Sequence, residues 1–219
     1  MATDPIRVDI ISDVVCPWCI VGYQQLMNAS AQSGIPVDVH WHPFELNPDM
    51  IPSGEHLGEH IQRKYGSTPE QSNDARKQLT DIGQPLGITF KFTAESRIFN
   101  TFAAHQLLHW AAQSGQAQAL KLALFDAYFT AAKDISNPDV LATVAASVGL
   151  DHQEALAVLK DQRFAETVRE KEAFWTSRGV SSVPTMVFDA RQATSGAQGV
   201  ETFTRVLTHM ASQPRQVAT

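Results

Sequence analysis

The stretch ISDVVCPWCIVGYQQL (residues 11–26) contains both cysteines of this 219-residue chain, Cys16 and Cys19. It overlaps the end of IRVDIIS (residues 6–12), a short apolar and β-branched run that predicts a buried strand. Pro17 suits the first position of a helix, where its missing N–H costs nothing, and apolar residues then recur at helical spacing. The cysteine pair is therefore expected at a junction between a strand and a helix.

Strand signals occur at the start of the chain and return only near its end. In IPVDVHWHPFELNP (residues 35–48), Val37, Val39 and Trp41 fall on one face and His40, His42 and Phe44 on the other, which predicts a second strand. VSSVPTMVFD (180–189) and QATSGAQG (192–199) predict a late strand with its hairpin partner, and VETFTRVLTHMAS (200–212) predicts a final amphipathic helix. The order βαβ–(helices)–αββα predicts an α/β fold in which both ends of the chain share one sheet.

The middle of the chain has helical character. The apolar spacing from Phe99 to Trp110 predicts a helix, and the capping residues Thr68, Asn137 and Asp151 mark the starts of three others. We therefore expect four segments: a first part of the α/β domain over residues 1–51, an all-helical insertion over 52–161, the second part of the domain over 162–212, and a tail over 213–219.

Composition excludes several classes of function. The chain has 43% hydrophobic and 18% charged residues and a net charge of -6, which is typical of a globular protein without a basic surface for nucleic acid. No apolar run approaches the roughly 20 residues that span a bilayer, and the first residues lack the basic and apolar regions of a secretory signal. We expect a cytoplasmic protein with no nucleic-acid or membrane partner.

Metal binding is one interpretation of the cysteines, but the pattern does not favour it. A structural zinc site needs four ligands, and the best completion of one with the cysteine pair would be His40 and His42, on the same face of the second predicted strand. HLGEH (residues 56–60) fits a zinc-peptidase pattern but lacks an evident third ligand, so solvated helix positions explain it better. The prediction is that the chain holds no metal.

The remaining interpretations are a structural disulfide and a reactive dithiol. A bond between Cys16 and Cys19 would close a very small loop, which gives little stabilisation. At a helix N-terminus, in contrast, the unpaired N–H groups and the helix dipole favour the thiolate and lower the cysteine pKa. We therefore favour a dithiol in which Cys16 attacks a disulfide and Cys19, one turn further, resolves the intermediate.

Two separated motifs carry a resemblance to a known family. DVVCPWCIVG (residues 13–22) after a strand, together with VSSVPTMVF (180–188), resembles the thioredoxin superfamily. The closest similarity is to its DsbA-like branch and, within that, to the FrnE-like oxidoreductases, whose further motifs are matched in order by WHPFELNP (41–48), NTFAAH (100–105) and SGAQGVETF (195–203). The resemblance implies a thioredoxin-like fold interrupted by a helical cap, with the active site where the two parts meet.

The resemblance also implies roles for residues outside the cysteine pair. Pro184 would be the family's cis-proline, and Val183 would offer its backbone to an extended substrate. Trp18 either tunes the site or packs at the helix tip. The residues expected to shape the site are Pro17, Trp18, Val183 and Pro184. His105 is expected on the cap side, and Asp13 is a candidate for proton transfer with Cys19, although a carboxylate near Cys16 would also oppose its thiolate. Gly196 and Gly199 precede the last helix, where they either contact an anionic group such as a glutathione carboxylate or simply form the turn before the helix.

These expectations predict a thiol–disulfide oxidoreductase without a metal or organic cofactor. Its partner would be a disulfide-containing protein or a small thiol, with glutathione as one candidate co-substrate, and the apolar stripe of the insertion permits a homodimer. Two alternatives stay open at this point. One is a kappa-type glutathione-dependent isomerase or transferase, although that class has a serine-containing motif where this chain has CPWC. The other is a non-catalytic chaperone or binding module.

Overall fold

The two ends of the chain meet in one sheet. The computed structural model describes residues 4–51 and 53–213. In chain order the regular elements are β1 (Ile6–Ser12), α1 (Pro17–Ser33), β2 (Val37–Pro43), β3 (Glu55–His56), α2 (Leu57–Tyr65), α3 (Pro69–Gly83), a 3₁₀ turn (Gln84–Leu86), β4 (Arg97–Ile98), α4 (Phe102–Ala112), α5 (Ala117–Phe125), a π-helical turn (Asp126–Thr130), α6 (Pro138–Ser147), α7 (His152–Asp161), α8 (Ala165–Thr176), β5 (Thr185–Phe188), β6 (Gln192–Ser195) and α9 (Val200–Ser212).

The sheet has the order β2-β1-β5-β6. Strand β1 pairs in parallel with β2 and antiparallel with β5, which in turn pairs antiparallel with β6. Helices α1 and α9 pack against each other over this sheet, in a core that includes Ile10, Leu26, Phe188 and Phe203. The predicted α/β fold that unites both ends of the chain is confirmed.

Helix α1 begins and ends where its sequence predicts. Cys16 is the N-cap, Pro17 is the first helical residue, and Gly34 ends the helix with a left-handed φ of 67°. Val14 and Val15, just before the cysteines, are buried in the core of the helical region instead of the sheet. The segment that carries the dithiol is thus held by both parts of the protein.

Helices α2 to α7 lie between β2 and α8, where the sequence predicts an all-helical insertion. The structure differs in one respect, because β3 and β4 form a small antiparallel ladder that the sequence did not suggest. Helix α4 accordingly begins at Phe102 and leaves out Phe99, which the apolar spacing had placed in it. Ile98 in β4 and Phe99 directly after it are buried, so these two apolar residues belong to an extended segment and not to the helix.

The predicted tail over residues 213–219 lies, apart from Gln213, outside the described residues, and so does Pro52 at the predicted domain boundary. Across residues 4–51 and 53–213, no helix has the length and apolar character needed to cross a bilayer.

Gly22 provides a test of how α1 packs on the segment that leads into β5. A Cβ at this position would lie 3.2 Å from both Met186 Cε and Pro184 Cγ, so a larger side chain has no room. We expect Gly22→Leu to lower the free energy of unfolding by about 1–3 kcal/mol, as overpacking does. Ala31→Leu, at an exposed position of the same helix, should change it by less than about 0.5 kcal/mol in the same denaturant titration. Equal effects of the two substitutions would contradict this packing.

Candidate active site

The two cysteines differ in their access to the surface. Both are free thiols in this structure. Cys16, 4% exposed, lines a cleft between the sheet and the helical insertion, whereas Cys19 is fully buried beneath it and does not reach the cleft. A substrate in the cleft therefore meets Cys16 first. Because Cys19 lies one turn further along α1, it is placed to follow Cys16 in a second step.

The segment before β5 faces the dithiol. The Val183–Pro184 peptide bond is cis, and the Cys16 thiol lies 3.6 Å from the Val183 carbonyl oxygen as a hydrogen-bond donor. Val183 also lines the cleft beside Pro17 and Trp18. Trp18 is 38% exposed, so it lies at the rim of the cleft and is not packed into a core.

The N–H groups of the two glycines before α9 already have partners. Gly196 N–H donates to the Pro184 carbonyl oxygen at 2.7 Å, and Gly199 N–H donates to Gln25 Oε1 at 2.8 Å. Neither glycine therefore has a free backbone N–H for the anionic ligand that was predicted to contact Gly196.

Asp13 and His105 lie together behind the dithiol. Asp13 is fully buried, its Oδ2 accepts the Leu46 N–H at 2.7 Å, and its Oδ1 lies 3.4 Å from His105 Nε2. Burial acts to raise the pKa of Asp13, but the contact with His105 and the Leu46 N–H outweigh it and lower the pKa. His105 is buried against Asp13 and the Phe44 carbonyl, and it does not line the cleft in front of Cys16.

Lys121 on α5 is the residue of the site that the sequence analysis missed. Its side chain is completely buried; Nζ donates to the Ser12 carbonyl at 3.4 Å and lies 5.2 Å from the ring centroid of Trp41. The nearby charges of Cys19 and Asp13 favour the ammonium form, but burial dominates and lowers the Lys121 pKa to about 8.

A sequence signal for this lysine does exist. Lys121 is the single charged residue of α5, and Leu120 and Leu122 flank it. A helix with apolar residues on all sides is normally buried, and a lysine within such a helix is buried with it.

The electrostatics of the cysteine pair oppose the sequence prediction that the thiolate forms on Cys16. Hydrogen bonding with Cys19 and burial raise the pKa of Cys16 well above its ordinary value. Burial acts in the same direction on Cys19, but hydrogen bonding with Cys16 and the charge of Lys121 outweigh it and lower the Cys19 pKa. The helix N-terminus is present as predicted. However, the charge of Lys121 acts more strongly on Cys19 than on Cys16, so the lowered pKa is that of Cys19.

The cleft in front of Cys16 has a volume of about 680 Å³, within the range of small-molecule sites. Residues 15–18 and the loop before β5 line one part of the cleft. Helices α2 and α3 and the π-helical turn after α5 line the other part. The site thus lies where the sheet and the helical insertion meet, as the family resemblance implies.

The histidines considered as metal ligands have other partners. His40 and His42 contact Asp38 and Asp9, at 2.8 and 2.7 Å. Within HLGEH, His56 contacts the Ala94 carbonyl and His60 contacts Glu55. Among the residues that the structure describes, no three histidine, cysteine or acidic side chains are grouped as metal ligands.

A four-stranded β2-β1-β5-β6 sheet with a C-x-x-C pair at the N-terminus of α1 defines a protein of the thioredoxin fold. Residues 7–208 match the DSBA-like thioredoxin domain family, and the chain belongs to that family. The predicted membership of the DsbA-like branch is confirmed, while the narrower FrnE-like assignment stays a prediction.

Solved structures share this fold. A "probable DsbA oxidoreductase" from Streptomyces coelicolor is 30% identical, with a TM-score of 0.88 over 98% of this chain and 93% of that one. The cytosolic disulfide reductase DsbM from Pseudomonas aeruginosa is 20% identical, with a TM-score of 0.63 over 93% and 98% of the two chains. A 2-hydroxychromene-2-carboxylate isomerase is 16% identical, with a TM-score of 0.69 over 93% and 95%. The last two are similar in fold alone.

The buried lysine predicts a specific dependence of stability on pH. Native Lys121 releases its proton near pH 8, whereas an ordinary lysine in the unfolded chain keeps it to about pH 10.5. Between these values the unfolded state binds more protons, so the free energy of unfolding contributed by Lys121 rises with pH.

We expect this rise when Lys121 and Lys121→Met proteins are compared in a Cys16→Ser/Cys19→Ser background, which removes the titration of the thiols. The difference in free energy of unfolding, lysine protein minus methionine protein, should increase with pH up to about pH 10.5 in denaturant titrations, and the rise should begin at or below about pH 8 because this background lacks the thiol charges that favour the ammonium form. A difference that stays flat or falls over this window would show that Lys121 is not a desolvated ammonium.

Proposed function

We propose that this protein is a thiol–disulfide oxidoreductase in which Cys16 attacks and Cys19 resolves. The observation that carries the proposal is the pairing of a cleft-facing thiol with a buried one whose pKa is lowered by hydrogen bonding with Cys16 and by the charge of Lys121. Buried ionisable groups with shifted pKa values beside a cleft are typical of functional sites, which favours a reactive pair over a structural one. Membership of the DSBA-like family supports the same conclusion.

The proposed reaction has two displacements. As Cys16 sulfur attacks one sulfur of a substrate disulfide, its proton passes to the Cys19 thiolate, a mixed disulfide forms, and the other substrate sulfur leaves as a thiolate. Cys19 then passes that proton to the released substrate thiolate and attacks Cys16 sulfur, which releases the second substrate thiolate. Two electrons from the dithiol reduce one disulfide to two thiols, and the reverse sequence oxidises a substrate. The direction of net flow follows from the reduction potential against the poise of the compartment.

Lys121 and Asp13 are proposed to serve the second displacement. Cys19 has no access to the cleft, so its proton must move through buried groups. Lys121, with a pKa of about 8, is mainly the ammonium form near neutral pH, and the charge of Asp13 favours this form. Stabilising the Cys19 anion raises the fraction of the mixed disulfide that is ready to resolve. Both residues act on Cys19 and therefore have a positioning role.

A polypeptide substrate would approach the loop before β5. The Val183 carbonyl, which accepts the Cys16 thiol in the free protein, is proposed to accept a backbone N–H of the substrate once Cys16 has reacted. Trp18 at the rim would cover the bound chain. This assignment gives Val183, Pro17 and Trp18 the site-shaping roles that the family resemblance implies.

The proposal is tested by substituting each cysteine and following insulin disulfide reduction. Cys16→Ser should abolish activity, because the serine hydroxyl does not attack a disulfide. Cys19→Ser should still attack, stop at the mixed disulfide, and yield a covalent adduct detectable by mass spectrometry. An adduct on Cys19 of the Cys16→Ser protein, with none on Cys16 of the Cys19→Ser protein, would reverse the assignment.

The same variants separate the two alternatives. A kappa-type transferase would conjugate or isomerise its substrate with glutathione after loss of Cys19, while a chaperone would suppress aggregation without either cysteine. Wild-type protein that reduces no disulfide would contradict the proposed function.

Lys121→Met is expected to slow the resolving step. Without the cation the Cys19 pKa rises, so at pH 7 the single-turnover rate should fall by about tenfold or more, which corresponds to about 1.4 kcal/mol. The loss should shrink as pH is raised, because Cys19 then ionises without help. A uniform loss at all pH values would indicate a structural effect only, and Lys121→Arg, which keeps the charge, provides the matched comparison.

A further inference from the structure

The walls of the cleft are mainly apolar on the side of the helical insertion. Leu57 and Ile61 of α2, Leu79 of α3, and Phe92 and Phe129 line it opposite Trp18. Phe92 stacks on Phe90 in a nearly parallel arrangement, and Phe90 and Phe129 meet edge to face, so this wall is a rigid aromatic surface. A flat, apolar ring matches such a surface better than a hydrated peptide does.

Two cations on the same side have no acidic partner. Lys64 Nζ donates to the Leu46 carbonyl and to Asn47 Oδ1, and Arg76 donates to the Ser72 carbonyl and to Asn73 Oδ1. Within residues 4–51 and 53–213, neither forms an ion pair with a carboxylate. The one carboxylate that lines the cleft, Glu45, is paired with Arg169. The cleft therefore offers net positive charge in a protein whose overall charge is -6.

Two polar side chains in this wall are buried. His60 is 4% exposed, and its Nδ1 lies 2.8 Å from Glu55 Oε2 and 3.3 Å from Arg63 Nη2. Ser72 is 5% exposed, and its hydroxyl has no hydrogen-bond partner among the described residues. Buried polar groups normally have hydrogen-bond partners, so the unpaired Ser72 hydroxyl is an unusual feature of this wall.

We propose that the natural substrate is a small aromatic disulfide, or the thiol that corresponds to it, with an acidic group on the ring. The ring would lie against Phe92 and Phe129, and the acidic group would meet Lys64 and Arg76. This inference rests on the proposed function and narrows its substrate from disulfides in general to one chemical class. It also favours a small molecule over a protein as the physiological partner, because the cleft volume suits the former.

The reaction follows the two displacements described above. Cys16 attacks one sulfur of Ar–S–S–Ar and transfers its proton to Cys19, the S–S bond breaks, and one aryl thiolate leaves. Cys19 then passes its proton to the released aryl thiolate and displaces the second aryl thiolate, so that one disulfide gains the two electrons that the dithiol loses. No other reductant is needed for one turnover of the reduced protein.

The test measures single turnovers of reduced protein with two probes of similar shape, the dianionic dithiobis(nitrobenzoate) and the neutral dithiodipyridine. Lys64→Gln/Arg76→Gln should lower the second-order rate constant for the anionic probe by about tenfold and leave that for the neutral probe nearly unchanged. Lys77→Gln removes a charge from an exposed position of α3 outside the cleft, and it should affect neither rate.

A second pair of variants tests the cleft itself. Ala75 lines it from an exposed position on α3, so Ala75→Trp should fill the space without disturbing a core and slow both aromatic probes by about tenfold or more. Gln78→Trp, on the same helix and outside the cleft, provides the control for size. Equal rates for the Ala75→Trp and Gln78→Trp proteins would show that the probes reach Cys16 by another route.

The outcomes distinguish this inference from the proposed function. If wild-type protein reduces neither the probes nor insulin, the proposed function fails and the substrate class fails with it. If wild-type protein reduces them but the Lys64→Gln/Arg76→Gln protein slows both probes alike or neither, the substrate class is wrong while the oxidoreductase activity stands. A selective loss for the anionic probe supports the inference.

Discussion

The ammonium group of Lys121 lies in the interior between the sheet and the helical insertion, with Asp13 and Cys19 as its neighbouring charges. Removing such a charge from water is costly unless it is paired, and this lysine keeps a lowered pKa even with both neighbours present. The site depends on this placement. Asp13 directly follows β1, Cys19 lies on α1, and Lys121 lies on α5 of the insertion. Neither part of the protein would form the site alone.

Exposure to substrate and a lowered pKa lie on different cysteines of the pair. Access to substrate belongs to Cys16, which lines the cleft at the start of α1, whereas the pKa is lowered at Cys19, on which the charge of Lys121 acts. The titrations of the two thiols are linked, because each thiol shifts the pKa of the other. In this account the pair acts as one titrating unit, and substrate binding decides which sulfur carries the charge.

Much of the fold was predictable because it depends on local patterns. Strand β1, the junction at Cys16 and Pro17, and the final helix α9 all follow from apolar spacing and capping, which act within a few residues. The β3–β4 ladder was missed because strands of two residues carry no periodicity. Lys121 was missed because burial depends on what packs around a helix, although the apolar residues of α5 on both sides of this lysine are a local signal for its burial.

The site was predictable to a similar extent. The cysteine pair and the distant Val183–Pro184 segment were joined by family resemblance, since no local rule connects residues so far apart. The prediction that the thiolate forms on Cys16 rested on the helix N-terminus alone, whereas in the structure hydrogen bonding with Cys16 and the charge of Lys121 lower the pKa of Cys19. The choice of Cys16 as the group that attacks follows from exposure, and that choice stays a proposal.

The most direct test of this account is to treat the reduced protein with a limiting amount of iodoacetamide at neutral pH and to locate the label by mass spectrometry. The account predicts that the label is found on Cys16, although Cys19 has the lower pKa, because only Cys16 reaches the cleft. Preferential labelling of Cys19 would contradict it, since the buried thiolate would then be the sulfur that meets a reagent first.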